Sequence, residues 1–178
     1  MRAEDTPRRW EMEAPLSLVA FKSRLVAWVK RLIAYVMKVG EIIGADRAFE
    51  LLSELMVAEG EAWTQKELKK LDITGVDALS GWELLRNFKQ IFGLEVLKPD
   101  EHIITERSPD KVVVHCTAWC PILEACRELN IPTRKVCENL MLAYERGVLK
   151  ALNPKLKLTV GKIRPEDRYC EYTIEVAS

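Results

Sequence analysis

The segment HCTAWCP, residues 115–121, brings thiol, imidazole and indole side chains together in one short stretch. Its two thiols, Cys116 and Cys120, can bind a soft metal ion or attack an electrophilic carbon. The imidazole of His115 can act as a base or a ligand, and Trp119 is a candidate wall of a substrate pocket. Three interpretations of the thiols are open: a metal site, a catalytic site with His115 beside Cys120, or small buried side chains that only pack.

The local pattern predicts that Cys116 ends a strand and that Cys120 precedes a helix. Alternation in KVVVHC puts Cys116 and His115 on opposite faces of that strand. Pro121 suits the first position of a helix, so Cys120 should be its N-cap residue. A thiol there meets unpaired N–H groups and the positive end of the helix dipole, which predicts a lowered pKa for Cys120. Cys126 lies about 240° further around the same helix and is expected to pack elsewhere.

Two further thiols are expected at the ends of elements, where sites are commonly assembled. Cys137 lies in the first turns of the next predicted helix, and Cys170 begins the last predicted strand. With Cys116 and Cys120 they are candidate zinc ligands, because four thiolates can complete a tetrahedral site. Glu138 is a candidate ligand or acid/base group. A paired Cys-x2-Cys signature is absent from the sequence, so packing remains an alternative.

The elements that must position these residues divide the chain into a helical half and a mixed half. Apolar periodicity predicts helices over 15–39, ended by Gly40, and over 46–71, with Gly60 as a possible bend. Ser80 and Glu83 have the spacing of a capping box for a third helix, which Gly93 would end. These patterns predict a flexible leader over 1–14 and a helical region over 15–93.

The second half, residues 94–178, has two segments with the period of β-hairpins. EHIITERSPDKVVVHC predicts two strands around a turn at Ser108–Asp110, and LKLTVGKI with CEYTIEV predicts a second pair. Two helices, over 121–129 and 133–152, lie between the hairpins. The expected fold is α+β, a helical half followed by an antiparallel sheet in a ββααββ arrangement, with both halves forming one compact unit.

Composition excludes several classes of function. Lys and Arg together number 27, as do Asp and Glu, and this zero net charge argues against a nucleic-acid-binding protein. The longest apolar stretch is interrupted by Lys30, Arg31 and Lys38, so no membrane-spanning segment is expected. An odd number of cysteines with no signal peptide predicts a cytoplasmic protein with reduced thiols. The broad apolar face of helix 15–39 could pack on the domain or form a homodimer.

The C-terminal part of the sequence, about residues 111–178, resembles the L-2-amino-thiazoline-4-carboxylic acid hydrolase family. The shared pattern is an early cysteine, CP at the start of a helix, a helical VCE, NP before a strand, and R…CEYTI near the end. The ending RPEDRYCEYTI also looks like the close of 4-vinyl-reductase-type domains. Those domains are small α+β ligand-sensing modules, and some of them bind zinc.

The hydrolase resemblance implies hydrolysis of a carbon–nitrogen bond in a small thiazoline- or amidine-type ring. It implies a cysteine-rich site formed by Cys116, Cys120, Cys137, Glu138 and Cys170. Within that site Cys120 is the candidate nucleophile, and Glu138 and His115 are the candidate acid/base groups. Arg164 is a candidate for binding a substrate carboxylate. The second resemblance implies a non-enzymatic module that binds a metal or a small ligand.

Overall fold

The computed structural model of the chain describes residues 17–91 and 100–177, without the side chains of residues 88–91. Helices followed by an antiparallel sheet confirm the expected α+β class. The first half contains α1 (Leu18–Ile43), α2 (Ala45–Glu67), a short 3-10 helix (Leu68–Lys70) and α3 (Ala78–Ile91). The second half contains β1 (His102–Arg107), β2 (Lys111–Cys116), α4 (Pro121–Leu129), α5 (Thr133–Asn139), α6 (Met141–Leu152), β3 (Leu156–Val160) and β4 (Cys170–Val176). The predicted leader and the predicted helix end at Gly93 lie outside the described residues.

The three N-terminal helices differ from the predicted ones at their ends. Helix α1 continues through Gly40 and ends at Ile43, because Gly44 adopts a φ of 93° that favours glycine. Helix α3 starts earlier than the predicted capping box at Ser80. The carboxylate of Asp77 accepts hydrogen bonds from the Ser80 backbone N–H at 2.8 Å and from its hydroxyl at 2.7 Å, so Asp77 is the capping residue.

The sheet has the order β1-β2-β4-β3, and every neighbouring pair is antiparallel. Strand β2 alternates as predicted, with Val112, Val114 and Cys116 buried on one face. The pairing of β1 with β2 shifts by one residue between Ile104 and Glu106. Thr105 is therefore an extra, bulged residue, and beyond it the register changes for the rest of the strand.

The region between the two hairpins contains three helices where two were predicted. Leu140, with φ of −108° and ψ of −78°, separates α5 from α6. Side chains near this break bind main-chain oxygens: Asn139 Nδ2 donates to Lys135 O at 2.8 Å, and Arg146 Nη1 lies 3.5 Å from Glu138 O. The break redirects the chain, so that α6 can lie against both α2 and β3.

Helices α2 and α6 approach each other closely through two glycines. A Cβ atom at Gly60 would lie 2.2 Å from the Tyr144 carbonyl oxygen, and one at Gly147 would lie 2.1 Å from the Val57 carbonyl oxygen. Helix α2 continues through Gly60 without interruption. These glycines let the two backbones touch and thereby fix the position of α6. Among the described helices, none has the length and apolar character needed to cross a membrane.

Candidate active site

The ends of β2 and β4 bring two of the candidate thiols together. Cys116, the last residue of β2, lies directly opposite Cys170, the first residue of β4. Both side chains are buried on the same face of the sheet. Cys120 follows Cys116 after a short loop and precedes α4, while Cys137 lies in α5 with its side chain buried.

Arg164, in the connection between β3 and β4, lies at the centre of three of these thiols. Its Nη1 donates to Thr117 O at 3.0 Å and its Nη2 to Ala118 O at 2.7 Å, which ties this connection to the loop after β2. Burial opposes the charge of the guanidinium, but the neighbouring Cys170, Cys116 and Cys120 outweigh burial and raise the pKa of Arg164. Arg164, which the sequence predicts to bind a substrate carboxylate, thus donates hydrogen bonds to main-chain oxygens and has sulfur atoms as neighbours.

Cys120 occupies the N-cap position that the sequence predicts, but its pKa is not lowered. Burial raises the pKa of the Cys120 thiol. The backbone N–H groups of Leu123 and Ile122 and the nearby charge of Arg164 favour the thiolate without overcoming burial, and the Cys120 side chain accepts no capping hydrogen bond. The predicted lowering of the Cys120 pKa is therefore wrong, because burial outweighs the effect of the helix N-terminus.

A thiol–imidazole pair forms at the edge of the same cluster. The Sγ atom of Cys116 lies 3.1 Å from Nε2 of His102, the first residue of β1. These residues are direct cross-strand partners, because the bulge at Thr105 shifts the register of β1 by one position. Without the bulge, Ile103 would take the place of His102. The His102 ring also contacts Trp82 of α3, with ring centroids 6.0 Å apart.

Tyr172 connects this cluster to a buried carboxyl group. Burial raises the pKa of its hydroxyl well above the ordinary value, and the charges of Cys116, Cys137, Glu145 and Cys170 act in the same direction. Glu145 of α6 is 1% exposed. We use the name thiol cluster for Cys116, Cys120, Cys137 and Cys170 together with Arg164 and Tyr172.

Sequence reasoning missed His102, Tyr172 and Glu145. Glu145 could have been found from its position on the apolar stripe of a predicted helix. A glutamate on such a stripe is expected to be buried, and a buried glutamate usually has a partner. The signal for Tyr172 was its position on the same strand face as Cys170. His102 could not be assigned by counting from the turn, because the bulge is not visible in the sequence pattern.

His115 lies away from the thiol cluster, on the opposite face of the sheet as its strand position predicts. Its ring stacks on Tyr169 with centroids 4.1 Å apart, and its Nε2 lies 3.0 Å from Glu171 Oε2. The structure therefore does not bring His115 to Cys120, with which sequence reasoning paired it as an acid/base group.

The other candidate acid/base group and the candidate pocket wall also have different neighbours. Glu138 forms an ion pair with Arg134 at 3.3 Å on an exposed part of α5. This carboxylate is therefore directed to the surface, whereas the adjacent Cys137 is buried. The half-buried Trp119 lies beneath the ammonium group of Lys22, 5.0 Å from the ring centroid. It joins the second half of the chain to α1.

The expected zinc site finds no support in this arrangement. Within residues 17–91 and 100–177, no three or more His, Cys, Asp or Glu side chains are grouped so as to hold a metal ion. The Arg164 cation lies beside three of the four candidate ligands, and its charge would oppose that of a bound cation. The described residues thus give no support for the predicted zinc site, and no chemical step is assigned to a metal.

Cys126 is fully buried in the core, and its titration should be visible in stability. Burial raises the pKa of this thiol to about 11, while a hydrogen bond with Thr133 acts in the opposite direction. A raised folded pKa means that its contribution is complete below the unfolded pKa of 9.0 and is lost as pH rises.

We expect the free energy of unfolding to fall by ~2–3 kcal/mol through Cys126 between about pH 8 and pH 11. Urea titration of wild-type protein and of Cys126→Ala at both pH values measures the part of the pH-dependent stability that comes from Cys126. The variant should lose less stability at high pH. An identical pH dependence in the two proteins would contradict the assignment.

Comparison with known proteins adds no assignment to this geometry. No protein-family model matches the chain, and no curated protein matches it.

Proposed function

We propose that this chain is a thiol-dependent hydrolase of a carbon–nitrogen bond in a small cyclic amidine- or thiazoline-type substrate. The observation that carries the proposal is the 3.1 Å contact between Cys116 Sγ and His102 Nε2 beside a half-buried arginine, Arg164. A thiol within hydrogen-bond distance of an imidazole is the arrangement that activates cysteine nucleophiles. The hydrolase resemblance of the C-terminal part of the sequence gives the substrate class.

In the proposed reaction Cys116 is the nucleophile and His102 is the base. The sulfur attacks the carbon of the ring C=N bond, and His102 takes the thiol proton and delivers it to a ring nitrogen. One C–N bond at that carbon then breaks, the leaving nitrogen gains a proton, and the remaining nitrogen re-forms a C=N bond. Water adds to the resulting thioimidate carbon, the C–S bond breaks, and Cys116 regains its proton. The net change is the addition of one water molecule with ring opening.

The remaining groups of the thiol cluster suit supporting roles. The fixed positive charge of Arg164 favours negative charge that develops on sulfur, because it is held in place by two main-chain oxygens before reaction. The raised pKa of Tyr172 keeps its hydroxyl protonated, so that it can donate to the leaving nitrogen. The charge of the buried Glu145 acts on Tyr172 and also favours the protonated hydroxyl. Cys120 supplies a neutral wall.

A second candidate function is a non-enzymatic module that binds a small ligand, as in 4-vinyl-reductase-type domains. The neutral Cys120 thiol and the low exposure of the other three thiols favour it, because these are properties of a lining and not of several reactive groups. We propose a cytoplasmic location for the chain, because all five cysteines are free thiols and a reducing compartment keeps thiols in this state.

The experiment that tests the proposal follows ring opening of 2-aminothiazolines and five-membered cyclic amidines, each with and without a ring carboxylate. We expect wild-type protein to hydrolyse at least one of them faster than buffer, and acid quenching during turnover to trap a covalent adduct on the peptide that contains Cys116. Saturable binding without hydrolysis would favour the ligand-binding module. No hydrolysis of any compound would overturn the hydrolase proposal.

A further inference from the structure

The outer surface of the α1–α2 hairpin carries apolar side chains that the chain itself does not bury. On α1, Trp28, Tyr35 and Ile42 recur every seven residues and are 56%, 69% and 81% exposed. The residues that α1 buries against the domain, Val26, Val29, Ile33 and Val36, occupy a different stripe of the helix. The described part of the chain therefore packs one apolar face of α1 and leaves a second one in solvent.

Helix α2 carries a matching exposed stripe. Leu51, Leu55, Ala58 and Ala62 are exposed and follow one another at steps of four, three and four residues. This spacing produces a straight seam along a helix. Around the axis of α2, this exposed stripe lies about 90° from the buried side chain of Leu52. Helix α1 contacts α2, and Gly44 alone separates the two helices along the chain, so each exposed stripe belongs to one of two neighbouring helices.

Cationic residues flank the α1 stripe, whereas three glutamates and one arginine, Arg47, flank the α2 stripe. On α1, Arg24, Arg31 and Lys38 each precede an exposed apolar residue by four positions. Beside the α2 stripe, a shallow groove is lined by the carboxylates of Glu50, Glu54 and Glu61 and shares Ala58 with the stripe. Among the residues that the structure describes, Glu50 and Glu54 pair with Arg47 and Glu61 pairs with Lys150, and pairs with such exposed cations contribute little.

We propose that two copies of this chain form a symmetric dimer in which α1 of each copy packs on α2 of the other. A two-fold axis parallel to the helices places the cationic flank of α1 over the acidic flank of the second copy's α2. The charged residues also match in their distance along the helices from Gly44. Lys38 lies six residues before Gly44, and Glu50 lies six residues after it. Counted in the same way, Arg31 falls between Glu54 and Glu61.

The size of the surface is sufficient for a stable dimer. Helices of 26 and 23 residues present a face roughly 35 Å long and about 20 Å wide. That is roughly 700 Å² for each copy, close to the ~800 Å² per partner of a standard interface. Pairing α1 with α1 would instead bring Arg24, Arg31 and Lys38 against like charges, so the α1–α2 pairing is favoured.

Sedimentation velocity of the full chain over a concentration series tests the dimer. Trp28→Glu should raise its dissociation constant by at least ~30-fold, since a buried aromatic residue at an interface has an effect of that size. Met37→Glu is the matched control, because Met37 is also exposed but lies on another side of α1. A wild-type monomer at all concentrations, or equal effects of the two variants, would overturn the proposal.

A charge-exchange cycle tests the pairing of helices. Arg31→Glu alone and Glu54→Lys with Glu61→Lys should each weaken the dimer, and the triple variant should restore it. Additive weakening in the triple variant would contradict the α1–α2 arrangement.

Flotation with vesicles containing anionic lipid tests the other partner that an aromatic and cationic face could bind. Vesicle binding that requires Trp28, in a chain that stays monomeric, would replace the dimer with a membrane surface.

Discussion

Replacement of Cys116 by alanine is expected to abolish ring opening while the protein remains folded. The sulfur forms the covalent bond of the proposed reaction, so its removal leaves no nucleophile, and kcat should fall to the rate of the uncatalysed reaction. Cys116 is buried at the end of β2, and its replacement by alanine removes a single heavy atom. Its loss should cost about 1 kcal/mol of stability, within the range of ordinary single substitutions.

The variant Cys120→Ala distinguishes the roles of Cys116 and Cys120, the two thiols of the HCTAWCP segment. Burial raises the pKa of Cys120, so in the proposed reaction this thiol forms a wall of the site and Cys116 is the nucleophile. We expect Cys120→Ala to retain measurable turnover with an increased KM. Stopped-flow or steady-state assays on both variants, with circular dichroism to verify folding, measure the difference. Full activity in Cys116→Ala with none in Cys120→Ala would reverse the assignment.

Replacement of Gly147 by alanine is expected to have the largest effect on stability. The added Cβ would lie 2.1 Å from the Val57 carbonyl oxygen, a distance at which the backbones of α2 and α6 must separate. Inserting atoms into a well-packed core commonly costs 1–3 kcal/mol, and here the obstacle is backbone. We expect a loss of about 3 kcal/mol or more, with loss of activity as α6 and Glu145 move.

Gly40→Ala is the matched control for that substitution. Gly40 is also inside a helix, but its added Cβ would lie 3.1 Å from Ala45 Cα, so only a small adjustment is needed. The better helix propensity of alanine, worth about 1 kcal/mol, should offset that adjustment. Urea denaturation of both variants gives the comparison. Equal stabilities would show that the α2–α6 contact is not set by Gly147.

The class of the fold followed from the sequence because hydrophobic periodicity records local structure well. The period-two pattern of KVVVHC placed Cys116 and His115 on opposite faces, and the structure has them there. Helix ends were less accurate, since Asp77 and Gly44 act through cap geometry that depends on one residue. The break at Leu140 had no local signal, because Leu140 carries no helix-breaking side chain and the break depends on how α6 packs.

The site was only partly predictable for a similar reason. Spacing gave Cys116, Cys120 and Cys170 as residues at the ends of elements, but charge and burial at Cys120 depend on the folded surroundings. Its raised pKa reflects burial, which the helix N-terminus does not overcome. His102 depends on the one-residue bulge at Thr105, and Glu138 was favoured only by its adjacency to Cys137. Side chains that follow each other on a helix point in different directions.

The most direct test of the central claim compares two histidines that lie on opposite faces of the same sheet. His102 contacts Cys116, whereas His115 contacts Tyr169 and Glu171. If the Cys116–His102 pair carries the reaction, His102→Gln should lower kcat for ring opening by about 10² to 10⁴-fold, the usual contribution of a general base. His115→Gln should leave kcat within about twofold of wild type. Equal losses in the two variants, or a larger loss in His115→Gln, would contradict the account.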